Sequence, residues 1–363
     1  MQSSRSSYYY DTDLCTLKLP QRTQQCLSVR VGGDGSLFET MRRKTAELEG
    51  GVVSQFIMAG CRHFASGMEE LGAVEWPITW IQGDACQSGQ AYSSQIKSIS
   101  GTPLQPLLID GELLGFCYED DYARFCHLSG LKPPDPSASR AEQTRALFDR
   151  MCAALELAGM DFRATVRTWF YLDRLLEWYD EFNALRTDFF ESTGVFDALM
   201  PASTGIGAAN PWGGALLADL LAVAPKSGDC RISAVDSPLQ CSALDYRSSF
   251  SRGVELSFPS HRELLISGTA SIDAAGRSIH LDDAAGQIAY TMEVVEAILA
   301  ERGMDWGNLA RGIAYFKNRA DLILWEDWMA ARRLPRFSLA VSHADVCRDD
   351  LLFEIEIDAL EIA

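Results

Sequence analysis

No stretch of this 363-residue chain is apolar for long enough to cross a bilayer, and its opening residues, MQSSRSSYYYDTDLC, lack the apolar run of a secretion signal. A soluble, cytoplasmic protein is expected. No CxxC pair occurs among ten cysteines scattered from Cys15 to Cys347, so neither a zinc site nor a secreted disulfide framework is signalled, and most are expected to be buried thiols. Positive charge is scarce as well. Lys and Arg number 32 against 50 Asp and Glu, the formal net charge is −18, and the basic runs are short, as in ARRLPR at 331–336. A phosphate backbone would be repelled, which excludes nucleic acid as the expected partner. A small anionic substrate would need a local cluster of arginines to overcome the surrounding field. His127, His280 and His343 have no Ser or Asp partner at a triad spacing, and TGIGAANPWGG lacks the Gly-Lys-Ser/Thr of a phosphate loop.

What the chain does contain is a repeat. QTRALFDRMCAALELAGMDFRATVRTWFYL from Gln143 aligns without gaps on QIAYTMEVVEAILAERGMDWGNLARGIAYF from Gln287, placing Gly159 on Gly303, Arg167 on Arg311 and Tyr171 on Tyr315. In each copy apolar residues recur at helical spacing (Phe148, Met151, Leu155; Ile288, Met292, Val295, Leu299), and a glycine closes the helix in the left-handed position. Buried strands follow at ATVRTWFYL and LARGIAYF, then second amphipathic helices at LLEWYDEFNALRTDFF and ADLILWEDWMAARR. This order predicts an α+β fold with two helices on one face of a mixed sheet in each copy. The first hundred residues read as helix, helix and a strand hairpin, a shortened third copy. The expected division is 1–105, 106–230 as a scaffold copy, and 231–363 as the copy carrying the site.

The last strand poses the functional question. In FEIEIDA the apolar Phe353, Ile355, Ile357 and Ala359 face one side while Glu354, Glu356 and Asp358 share the other. That acidic face is either solvated or lines a pocket. Base rates favour water for Glu356 and Asp358, while partial burial and the neighbouring Glu356 would raise the pKa of Glu354 and suit it to general-acid work. Arg167 and Arg311, matched in the repeat, read as bridges between copies or, for Arg167, as a pocket cation.

These features resemble the RidA (YjgF) superfamily: an SG on the strand before the helix, a Gln-initiated helix ending in Gly, and a terminal EIE. Two copies in one chain, with PASTGIG at 201–207, ISGTASI at 266–272 and ADVCRDDLLFEIE at 344–356, more narrowly resemble the chorismatases, which split chorismate into pyruvate and a cyclohexadiene or benzoate acid. The resemblance implies tandem RidA-like (chorismate-mutase-like) domains, no metal or organic cofactor, an anionic metabolite as ligand, and a monomer with internal pseudo-symmetry or a small homo-oligomer. It places the general acid at Glu354 and a product-determining cysteine at Cys347, with Gly268 and Ala270 on the opposing wall. Tyr246, Arg247 and Arg252 stand where the family supplies a pocket tyrosine and arginines. Arg167 and Arg348 complete the expected binding set, with Arg348 favouring the Cys347 thiolate. A RidA-like enamine deaminase and a non-catalytic binding protein are the alternatives. The deaminase would need an arginine near Leu339, which only a shift of Arg336 could supply.

Overall fold

Helix and strand residues alternate in three successive blocks, and each block closes into its own sheet. The structure, a computed structural model, describes residues 9–32, 37–83, 93–246 and 248–362. The first block comprises β1 (Tyr9–Lys18), β2 (Thr23–Gly32), α1 (Leu37–Thr45), β3 (Gly51–Met58), α2 (Phe64–Leu71), β4 (Ile78–Ile81) and β5 (Ser93–Ser100). The second holds β6 (Gln105–Ile109), β7 (Glu112–Glu119), β8 (Ala123–Leu131), α3 (Arg140–Leu157), β9 (Thr165–Leu172), α4 (Tyr179–Ser192), β10 (Ala202–Gly207) and β11 (Leu216–Pro225). The third holds β12 (Arg231–Val235), β13 (Gly253–Phe258), β14 (His261–Ala270), α5 (Ala284–Glu301), β15 (Leu309–Phe316), α6 (Leu322–Arg332), β16 (Ser338–His343) and β17 (Phe353–Ile362).

The three sheets repeat one connection. The strand before the first helix (β2, β8, β14) pairs antiparallel with the last strand (β5, β11, β17), which pairs antiparallel with β3, β9 or β15, and that strand pairs parallel with β4, β10 or β16. The first block is therefore a five-stranded version of the six-stranded units that follow. Its β4 and β5 are not the hairpin expected from sequence, because they lie on opposite sides of β3.

The repeat signals act locally as anticipated. Ser139 and Glu142 cap α3 reciprocally, and Gly159 and Gly303 take φ of 68° and 71° directly after their helices, a conformation that favours glycine. The apolar stripes of α3 and α5 then bury against their own sheets, Phe148 and Met151 in one layer and Ile288 and Met292 in another. The opposite faces of the three sheets turn toward one another. Phe56, Trp169, Tyr171, Leu221, Leu265, Ile313 and Tyr315 build this shared core, with the Phe56 ring 6.1 Å from Trp169 and 5.8 Å from Tyr171. No helix among the described residues is long and apolar enough to cross a membrane.

Candidate active site

On β17 the alternation holds, but its polar side faces the shared core and not solvent. Phe353, Ile355, Ile357 and Ala359 pack under the helices. Glu354 is 4% exposed and Glu356 is 0% exposed, so the expectation that Glu356 stays in water is wrong, and Asp358 is half-buried. The reason is that partners arrive from distant strands. Glu356 accepts hydrogen bonds from Arg167 Nη2 (3.1 Å) and Trp169 Nε1 (2.8 Å) on β9 and from Arg311 Nη1 (2.9 Å) on β15. Arg311 Nε also donates to Asp358 (2.9 Å). Burial opposes the charge on Glu356, but Arg167, Arg311 and the bonds from Thr204 and Trp169 outweigh it and hold the carboxyl below its ordinary value.

Glu354 has no such partner. Among the described residues no side chain hydrogen-bonds its carboxyl, which lines a cavity of about 30 Å³ at the seam between the second and third sheets. From the third unit come Arg252, Gly268, Ala270 and Cys347; from the second come Tyr179 and Arg186 on α4 with Ser203 and Gly205 on β10. Phe250 lies between the two guanidiniums, its ring centre 5.9 Å from Arg186 and 5.5 Å from Arg252. Both arginines are buried. Arg252 is aimed by two bonds to the Cys241 carbonyl (3.0 and 2.8 Å), Arg186 by one to Asn183 Oδ1 (2.7 Å). The space admits about two waters, so an organic ligand must displace part of this wall on entry.

Burial, with the charge of Glu356 adding to it and Arg167 opposing, pushes the Glu354 carboxyl up to about 8. Near neutrality it is an acid holding its proton. Between its unfolded value near 4.5 and about 8 the folded protein therefore binds the extra proton, and this group's contribution to stability falls as pH rises through that window. Glu354→Gln removes the dependence. Thermal melts should show the variant above the parent at pH 8.5, with the difference vanishing toward pH 5.

Cys347 lines the same wall, but Arg348 does not make it a thiolate. Burial, then the charge of Glu354, pushes the thiol up to about 12, and Arg348 lowers it too little to matter. A thiol at neutral pH shapes the wall and is a poor nucleophile. Arg348 is not among the lining residues; its Nη1 donates to the Gly276 carbonyl (2.9 Å) and Ser278 Oγ (3.3 Å). Arg167 is likewise absent from the pocket. It is 0% exposed behind it, donating to Ile266 O (2.7 Å), Thr204 Oγ1 (2.9 Å) and Glu356. The Tyr246 side chain and Arg247 lie outside the described residues. Tyr179 and Arg186 were missed by sequence reasoning, which treated the second unit as scaffold; an arginine on an amphipathic helix carries no signal of its own.

Gly268 matters through what it lacks. A methyl group built on it overlaps Glu354 Oε1 and comes 3.3 Å from Thr204 Cγ2. Gly268→Ala should turn the carboxyl out of place and cut turnover roughly 10²-fold, the cost of about 1 Å of misplacement, while circular dichroism stays unchanged.

At the strand position of Glu354 an acid occurs in the third unit alone. Glu354 pairs with Tyr315; the residue that pairs with the matching Tyr171 is Leu217, and the first sheet's counterpart is Ser93, whose hydroxyl is spent on the Val341 carbonyl (2.5 Å). A larger cavity, about 510 Å³ beside α1 and α2, is lined among the described residues by apolar side chains with Arg42, Thr45 and Glu75 as the polar ones. It offers no buried acid.

Comparison with known proteins bears on this arrangement. A solved chorismatase structure superposes with a TM-score of 0.67 over 93% of this chain and 98% of that one, at 21% identity. A chorismatase from Streptomyces hygroscopicus is 28% identical over 253 residues, 63% of this chain and 71% of the relative. The chain resembles the chorismatases in sequence and in fold. A 3-hydroxybenzoate synthase from the same organism is 28% identical over 283 residues, 68% of this chain and 76% of its own length. No family model matches the chain. The expected α+β architecture of tandem RidA-like units, each a mixed sheet with two helices on one face, is the observed one.

Proposed function

We propose that the protein is a chorismatase-like enzyme: it releases pyruvate from chorismate or a similar dianionic enol ether and leaves a dihydroxycyclohexadienoate or hydroxybenzoate. One observation carries the reading. A buried glutamic acid that keeps its proton near neutral pH faces a cavity flanked by two buried arginines. Cleaving an enol ether begins with a proton delivered to its terminal carbon, which needs such an acid. Glu354 gives that proton, water adds to the resulting oxocarbenium carbon and returns a proton to the Glu354 carboxylate, and the hemiketal collapses to pyruvate and the ring alcohol, a dihydroxycyclohexadienoate, from which loss of one water gives the hydroxybenzoate. Arg186 and Arg252 hold the two carboxylates, since planar guanidiniums bind them in two-point contact. Arg252 belongs to the third unit and Arg186 to the second, so the two cations come from opposite sides of the seam. Gly268, Ala270 and Cys347 shape the wall that faces the ring.

The deaminase alternative loses its arginine. Arg336 is a surface residue paired with Asp13 (2.7 Å), and Leu339 is buried beneath the helices. The test is to incubate purified protein with chorismate and follow pyruvate by a coupled assay. Pyruvate release supports the proposal; ammonia from an enamine substrate supports the deaminase; neither, with ligand-induced thermal stabilisation, leaves a binding protein.

A further inference from the structure

The matched arginines of the repeat do not touch the cavity, yet they meet at one carboxylate directly behind it. Arg167 crosses the seam from the second sheet with Trp169 and Thr204, Arg311 comes from β15, and all converge on Glu356. Same-face neighbours on a strand lie roughly 7 Å apart, so the charge on Glu356 sits one pleat from the Glu354 carboxyl. We infer that Arg167, Trp169 and Arg311 are positioning residues that fix Glu356 as a permanent anion behind Glu354, and that this anion keeps the proton of Glu354 in the pocket.

The geometry requires this division of roles. Two guanidiniums and an indole N–H saturate Glu356 from two sheets, and a carboxylate so placed stays ionised in a dry interior. Glu354, 4% exposed and without a hydrogen-bond donor among the described residues, is the member of the pair that must remain neutral. The other groups around the pair are accounted for. Glu354 meets Cys347 from the loop before β17, Tyr179, Arg186 and Arg252 around the cavity, Tyr315 from β15, and the charge of Arg167 behind it. Near Glu356 stand Tyr171 on β9, Tyr315 on β15, Asp219 on β11 and Asp358 on its own strand. Burial raises both tyrosines, which stay neutral at pH 7, and pushes Asp219 up to about 7, so that it carries part of a negative charge there against the full one on Glu356. The repeat explains the asymmetry: Asp219 pairs with Trp169 as Glu356 pairs with Ile313, but Asp219 lacks an arginine cage and accepts instead from Thr79 Oγ1 (2.5 Å) and Gly130 N (3.0 Å).

This inference rests on Glu354 as the acid of the site, but its test needs no substrate. Protein labelled with ¹³C-glutamate is titrated by difference infrared spectroscopy, following the carbonyl band of protonated glutamic acid. The parent should keep one such band at pH 7 that Glu354→Gln removes. In Glu356→Gln the band's midpoint should fall by at least about one pH unit, because the anion is gone and Arg167 and Arg311 are left uncompensated. A merely structural Glu356 would leave that midpoint where it is, and a midpoint unchanged in a folded Glu356→Gln overturns the inference. Should Glu356→Gln fail to fold, Glu354→Gln still decides: a protonated glutamate band surviving at pH 6 in that variant means that Glu356 carries the proton, and the inference is wrong. Absence of pyruvate release with the expected infrared result would sink the proposed reaction alone.

Discussion

Replacing Glu354 with glutamine is expected to cut pyruvate release from chorismate by about 10²–10⁴-fold or more, with KM little changed. Glutamine preserves the size and the burial but has no proton to give to a carbon. The loss should therefore fall on kcat, because the arginines proposed to hold the substrate, Arg186 on α4 and Arg252 before β13, are aimed by Asn183 and the Cys241 carbonyl and not by residue 354. Steady-state kinetics of the coupled assay make the distinction. A variant with full kcat would show that the proton comes from elsewhere, and one with raised KM alone would make Glu354 a binding group.

The second large effect is on stability. Arg167→Met should destabilise the fold by about 3–5 kcal/mol, the range for breaking a buried ion pair from one side. Both partners are fully buried: side-chain exposure is 0% for Arg167 and 0% for Glu356. Removing the guanidinium also takes a donor from the Ile266 carbonyl and from Thr204 Oγ1, which it ties together across the seam. Chemical denaturation of the folded variant measures the change. If Arg167 were a substrate cation, as its sequence context suggests, stability would hold and KM alone would rise.

The sequence made the second and third units legible because their helices and strands present one apolar face each, and because Gly159 and Gly303 mark the same helix ends. The first unit was harder to read for a physical reason. The inner faces of β2 and β5 are polar, since Ser28 Oγ bonds Ser338 Oγ (2.8 Å) and Gln95 Nε2 bonds the Gly312 carbonyl (3.1 Å) of the third sheet. Polar side chains that bury against a distant sheet erase the periodic signal that reveals a strand. The acidic face of β17 failed in the same way. Its alternation is plain in FEIEIDA, but the residue that buries Glu356 lies 189 positions away on β9, and spacing along the chain cannot show that. Glu354, Cys347, Gly268, Ala270 and Arg252 were legible through motif likeness, and the structure gathers them around one cavity. Arg186 and Tyr179 needed the docking of α4 onto the third unit before they could be seen.

The seam also explains why, of the three matching last-strand positions, one carries an acid. Each sheet brings its last strand to the shared core, yet the equivalent residues are Ser93, Leu217 and Glu354. The hydroxyl of Ser93 closes its own seam by bonding Val341, and Leu217 packs into the apolar core. A tandem chain can vary each position independently, so one seam carries the acid while the matching positions of the other two are packing.

The most direct test is the pH dependence of kcat/KM for pyruvate release from chorismate. If the general acid is a buried carboxyl that ionises at about 8, the rate should hold through neutrality and fall tenfold per pH unit above that value. A rate already falling between pH 4 and 6 would mean that Glu354 ionises like an ordinary glutamate, and would contradict the account.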